Sequence, residues 1–259
     1  MAEAKTTVAV TMRERNAFRP QKTAILLAQR IVGEISDGGL VPGTLLLPER
    51  EMLQRYGVAR GTLREALRFL EIQGVLTIKP GPAGGPTVNT PDPRSLASAI
   101  ALLLQLSDAP FSAIVEARQV FEPALAAFTA RRAKADELER VGESIEAMER
   151  AIGDHQAFLV ENQVFHDLIA DASGNVLFSL LLRSLAWITD ATVLGVEYDA
   201  KRQQGILNAH RAIYEGLAER DEARAEAAMK AHMDEFARFL KRHYPRVLDR
   251  TVRWDDSVG

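Results

Sequence analysis

Apolar residues recur three and four places apart along most of the chain, the spacing of helices with one buried side. Ala24, Leu27, Ala28, Ile31 and Ile35 open the pattern and predict an amphipathic helix that ends near Asp37-Gly38-Gly39. Met52, Leu53 and Tyr56 make a short second stripe that breaks at Gly57. Leu63, Ala66, Leu67 and Leu70 make a third. This spacing predicts a helix, a tight turn and a second helix. After Gly74 the period changes: Val75-Leu76-Thr77-Ile78 alternates, a Pro/Gly-rich loop follows, and the chain returns as Pro86-Thr87-Val88, which reads as a small hairpin.

Thr90-Pro91-Asp92-Pro93 has the stiffness of a linker. From Ser95 onward the pattern is helical, with segments at 94–106, 111–132, 135–152, 154–172, 175–196, 202–218 and 221–243. The joints are short, so neighbouring helices must reverse direction. The expected fold class is mostly α: an N-terminal winged helix-turn-helix domain followed by an all-α antiparallel helical bundle. The expected boundaries are a flexible arm at 1–20 carrying Arg13, Arg15 and Arg19, the winged helix-turn-helix domain at 21–90, a linker at 91–94, the all-helical domain at 95–245, and a tail at 246–259.

Composition narrows the chemistry. The chain has 259 residues, 47% of them hydrophobic, room for two ordinary domains. It has no cysteine, which removes disulfides, thiolate metal sites and cysteine nucleophiles and fits a reducing, cytoplasmic setting. The apolar run Leu96 to Leu106 is too short to span a membrane, and the N-terminus lacks a signal peptide's apolar core. Net charge is −3, yet residues 11–90 hold eleven Lys/Arg against seven Asp/Glu, a balance of +4, and residues 91–259 hold twenty against twenty-seven. The basic excess lies on the helix-turn-helix segment. Arg50, Arg60 and Arg64 are the candidate DNA contacts, with Thr62 as a phosphate or base neighbour and Gly81 at the wing tip. Pairing of these arginines with Glu49, Glu51 or Glu65 on an ordinary surface is the competing reading.

Pro42-Gly43, Glu49-Arg50, Gly57-Val58-Ala59-Arg60, Leu63-Arg64-Glu65-Ala66-Leu67, Leu70 and Gly74 together resemble the winged helix-turn-helix of GntR-type bacterial transcription regulators. Two departures stand out. Leu47-Pro48-Glu49 moves the proline one place toward the helix, and Ala59 stands where a serine or threonine often touches DNA.

His166, His210 and His232 each lie on the apolar stripe of a different helix and so point inward. A single inward histidine is more often a hydrogen-bonded core residue, but a divalent cation satisfies three convergent imidazoles together. His155 and His243 lie outside this pattern and read as surface residues. Phe165-His166 followed by Ala172-Ser173-Gly174-Asn175 resembles the FCD ligand-binding domain of the FadR-type branch of the same family. That resemblance implies a metal site on Asn162, His166, His210 and His232, for zinc, nickel or manganese. The family commonly has Asp where this chain has Asn162, a weaker ligand.

Arg118 is a second inward polar residue, sharing a stripe with Ile114, Phe121 and Leu125. An inward guanidinium needs an anionic partner, either Glu122 one turn on or a small organic acid. In FCD-like domains the matching arginine, within Glu116-Ala117-Arg118, is associated with effector carboxylates. The expected function is a dimeric, ligand-responsive regulator, a repressor more readily than an activator, whose partners are a palindromic double-stranded DNA operator and a small carboxylate metabolite. Catalytic residues are not expected. The alternatives are a metal-dependent enzyme using the three histidines to activate water, or a metal-sensing regulator.

Overall fold

Helix α1 (Phe18–Asp37) presents Ala24, Leu27, Ala28 and Ile31 to a small core, where each is at most 5% exposed. The structure, a computed structural model, describes residues 18–81, 84–90, 92–189 and 195–254. Of the expected arm, residues 1–17, with Arg13 and Arg15, lie outside the described residues, and α1 already begins at Phe18.

Helix α2 (Glu49–Tyr56) starts directly after Pro48, whose carbonyl accepts from the N–H groups of Glu51 and Met52. The displaced proline therefore caps the helix rather than interrupting it. Gly57 ends α2 in the left-handed region, φ 63°, where a Cβ would be strained. Helix α3 (Arg60–Ile72) buries Leu63, Ala66, Leu67 and Leu70 against α1. Gly74 closes it, again at positive φ, and strands β1 (Leu76–Lys79) and β2 (Gly85–Val88) follow as an antiparallel pair with Leu76 opposite Val88 and Lys79 opposite Gly85. The segment after Pro42 adds to this wing: Gly43 donates to Val88, Val88 to Thr44, and Leu46 to Pro86, with Leu45 bridging Thr87. Between Asp92 and Pro93 the chain divides into two compact units.

The second unit consists of α4 (Pro93–Leu106), α5 (Phe111–Arg132), α6 (Ala135–Arg150), α7 (His155–Ala172), α8 (Val176–Ile188), α9 (Ala200–Ala218), α10 (Glu222–His243) and α11 (Pro245–Asp249). Four of these helices begin on an acidic or amide side chain that accepts a first-turn N–H: Asp154, Asn175, Asp199 and Asp221. Helix α5 contributes Phe111, Ile114, Leu125, Ala126 and Ala130 to the core, and it also buries Arg118 and Glu122. A helix buried on most sides cannot show a clean amphipathic stripe.

Two expectations are revised. The helix expected to run to 196 ends at Ile188, with Thr189 as its cap, and residues 190–194 lie outside the described residues. The segment expected as a tail from 246 is packed against the bundle: Val247 and Leu248 touch the core, Val252 is fully buried, and Thr251 bridges Pro110. Trp254 extends this strap by donating from its ring to Ser98 at 2.7 Å. Among the described residues no helix is long and apolar enough to cross a membrane.

Helices α9 and α10 come into backbone contact at Gly216, where a Cβ would lie 2.7 Å from the backbone nitrogen of Ala225. Gly216→Ala should therefore lower stability by about 1–3 kcal/mol, the usual penalty for overpacking. Urea unfolding of both proteins measures this, and an unchanged midpoint would show that the two helices can part without cost.

Candidate functional site

The N-terminal unit offers its polar face at the start of α3. Ala59 precedes the helix in extended conformation and has no side-chain acceptor, so the first-turn N–H groups remain available for an anion. Arg60 and Arg64 stand beside that end, their side chains 68% and 64% exposed. Both lean on Glu49: Arg60 Nε lies 3.5 Å from its carboxylate, and Arg64 donates from Nε at 3.1 Å and from Nη2 at 3.3 Å. The competing surface pairing is thus present, but exposed pairs contribute only about 0–1 kcal/mol and yield readily to phosphate. Arg50 is exposed on α2, Thr62 is half-buried in the first turn of α3, and Gly81 is exposed beyond β1 with φ 109°.

Inside the second unit, α5, α7, α9 and α10 each supply one or two polar side chains to a single buried group. His166 of α7, His210 of α9 and His232 of α10 bring one nitrogen each to within 4.8 Å of one another. His210 Nε2 and His232 Nε2 face each other at 3.3 Å, and Phe165 stacks on His210 with ring centres 3.8 Å apart. His166 and His210 are buried, His232 half-buried. Burial pushes His210 well below the ordinary histidine range and takes His232 down to about 3, with the neighbouring imidazoles adding to both shifts. His210 and His232 are thus held neutral, the form in which an imidazole ligates a divalent ion.

Behind His166 lies a carboxylate that the sequence offered only as a partner for Arg118. Glu122 is 1% exposed; Arg118 Nε donates to its Oε1 at 2.7 Å, and His166 Nδ1 lies 2.5 Å from its Oε2. The second contact is off the angle of a regular hydrogen bond, and neither atom has another partner among the described residues. Burial raises the Glu122 carboxyl, but the charges of Arg118 and His166 outweigh it and hold the group at about 2. Glu122 is therefore an anion, and it orients the imidazole whose other nitrogen points to the cluster.

A cavity of about 250 Å³ opens beside the histidines. His166, His232, Asn162 and Arg118 line it, while His210 stands behind the wall. Asn162 is half-buried one turn before His166. Arg118 donates from Nη1 to the Thr189 hydroxyl at 3.2 Å, so Thr189 and Glu122 fix the guanidinium on two sides. Tyr198 also borders the cavity, and burial pushes its hydroxyl up to about 12, leaving a neutral donor. Arg202, in the first turn of α9, is a further lining residue that the sequence reading missed. Its signal was present: Arg202, Ile206 and His210 are four residues apart and share one face. His155, expected on the surface, is half-buried against the Tyr198 ring, whereas His243 is exposed.

Comparison with known proteins places both units. Residues 26–83 match the family model for bacterial regulatory proteins of the gntR family, and residues 113–235 match that for the FCD domain. The chain is 30% identical over 205 residues to the uncharacterized HTH-type transcriptional regulator YcbG of Bacillus subtilis, across 79% of this chain and 84% of that protein. It is 25% identical over 206 residues to the HTH-type transcriptional repressor NanR of Klebsiella aerogenes, across 78% and 76% respectively. A solved structure of Streptococcus agalactiae GntR shares the fold with a TM-score of 0.65 and 24% identity, covering 83% of this chain and 99% of that one. The chain belongs to the gntR family of bacterial regulatory proteins: it is a transcription regulator, not an enzyme, with a winged helix-turn-helix domain and an FCD effector-binding domain.

Proposed function

We propose that this regulator is a cytoplasmic repressor that binds a palindromic operator as a homodimer, each α3 entering a major groove with Arg60, Arg64 and Thr62, while Arg50 and Gly81 meet the flanking backbone. The name of its relative NanR as a repressor supports the sign. Exposed apolar side chains on the second unit, among them Leu103, Leu106, Val176 and Leu177, support a second copy.

In this reading the effector domain holds a divalent ion, zinc, nickel or manganese, on His166, His210 and His232 with Asn162 as a fourth ligand. A small organic acid lies between that ion and Arg118. When bound, the ion supplies a fixed positive charge that a carboxylate oxygen can join. The remaining work belongs to the chain: Glu122 holds His166 and Arg118 in place, Thr189 aims the guanidinium, and the cavity wall excludes competing water. The observation that carries this reading is the meeting of three imidazoles, two of which line one small cavity together with a fixed guanidinium. A purely metal-sensing regulator is the second reading, favoured by the three histidine nitrogens lying within 4.8 Å of one another.

Arg64→Ala should weaken binding to a specific operator by about 1–3 kcal/mol, roughly five- to 150-fold, with a smaller loss on random duplex. Fluorescence anisotropy at fixed salt reads both, and an unchanged affinity and footprint would remove Arg64 from the interface. Glu122→Gln should lower divalent-ion affinity by about 10- to 100-fold, because His166 loses the anion that orients it. In metal-free buffer it should also cost about 3–5 kcal/mol of stability, because Arg118 is left buried without its counter-charge. Chelator competition and denaturant unfolding measure the two effects, and wild-type values in both would contradict the role given to Glu122.

A further inference from the structure

The acid proposed for this cavity lies between Arg118 and the ion, and a second guanidinium borders the same space. Arg202 lines it from the start of α9, with a side chain 19% exposed. Its Nη1 donates to the exposed Glu235 at 2.9 Å, and its guanidinium carbon lies 4.3 Å from the centre of the Phe239 ring. Its Nε is buried and has no partner among the described residues. An anionic oxygen is the acceptor that a guanidinium takes most strongly.

The two guanidiniums are arranged in series. Arg118 stands over Phe236, its guanidinium carbon 5.7 Å from that ring's centre, while Arg202 stands over Phe239. Both rings belong to α10 and are three residues apart, on one face of that helix. The described lining residues between them include the amides Gln156, Asn162 and Gln163 and the Tyr198 hydroxyl, and none is a carboxylate. A ligand with one anionic end meets one of the two guanidiniums; a ligand with two meets both.

We propose that the cavity takes a short organic acid carrying two anionic groups, one held by Arg118 and the other by the guanidinium of Arg202. This rests on the assignment of an acid to Arg118. The second group is a carboxylate or a phosphate, which share the chemistry that Arg202 reads, and Arg202 is then the residue that separates dianions from monoanions.

Isothermal titration calorimetry of the metal-loaded full chain tests this with butanoate and pentanoate as monoanions, succinate and glutarate as dicarboxylates, and phosphoglycolate as the phosphate arm. The expected result is binding of dicarboxylates or phosphoglycolate at least tenfold tighter than the matching monoanions, the better arm naming the second group. Arg202→Gln should remove that advantage with little effect on the monoanions, and Arg118→Gln should weaken both classes. Glu235→Gln, which removes the surface partner of Arg202 but not its charge, should keep the advantage. Equal affinity of the wild type for the two classes would overturn the proposal, as would equal losses for both in Arg202→Gln or loss of the advantage in Glu235→Gln. A wild type that binds no acid of either class would instead overturn the assignment of Arg118 on which it rests.

Discussion

A carboxylate removed from water must keep its charge matched, and Glu122 meets this demand by standing between a guanidinium and an imidazole. The consequences reach outward in both directions. Toward α7 the pairing sets which nitrogen of His166 is left for the histidine cluster. Toward solvent it uses up one edge of Arg118, so that only the Nη side of that cation is available to the cavity. The proposed metal and acid positions are thus not independent: both are braced by the same buried anion one turn along α5.

This arrangement explains why the effector domain is built around an α5 buried on most sides. The partners of Arg118, Glu122 and the histidines come from α7, α8, α9 and α10, so the cluster reports on how these helices pack. The close approach at Gly216 and the short turn before Asp221 fix α9 against α10, which sets His210 opposite His232. In the N-terminal unit the reading head is lightly held. Arg60 and Arg64 share one exposed glutamate, and the uncapped start of α3 leaves its N–H groups to be met by phosphate.

Much of the fold was legible because local chemistry decided it. Gly57 and Gly74 mark helix ends through positive φ, and Asp154, Asn175, Asp199 and Asp221 mark helix starts through capping bonds. The same periodicity put His166, His210, His232 and Arg118 on inward faces, but it carried no information on distance between helices. Glu122 could be named as a neighbour of Arg118, one turn away, and not as the partner of His166 on another helix. Arg202 shares a face with Ile206 and His210, but that spacing says nothing of the cavity the face borders. Thr189 was hidden because α8 stops eight residues before the apolar pattern does. The pairing of Leu45 with Thr87 and the burial of Val252 are long-range contacts of short segments, which leave no period to read.

The claim that joins the two halves is that occupancy of the histidine-lined cavity changes how the reading heads engage DNA. Its most direct test is the affinity of the metal-loaded full chain for an operator fragment, measured by fluorescence anisotropy with and without a saturating small acid. The account predicts at least a fivefold change with acid, about 1 kcal/mol of coupling, that is absent in Arg118→Gln. Identical affinity with and without an acid shown to be bound would contradict it.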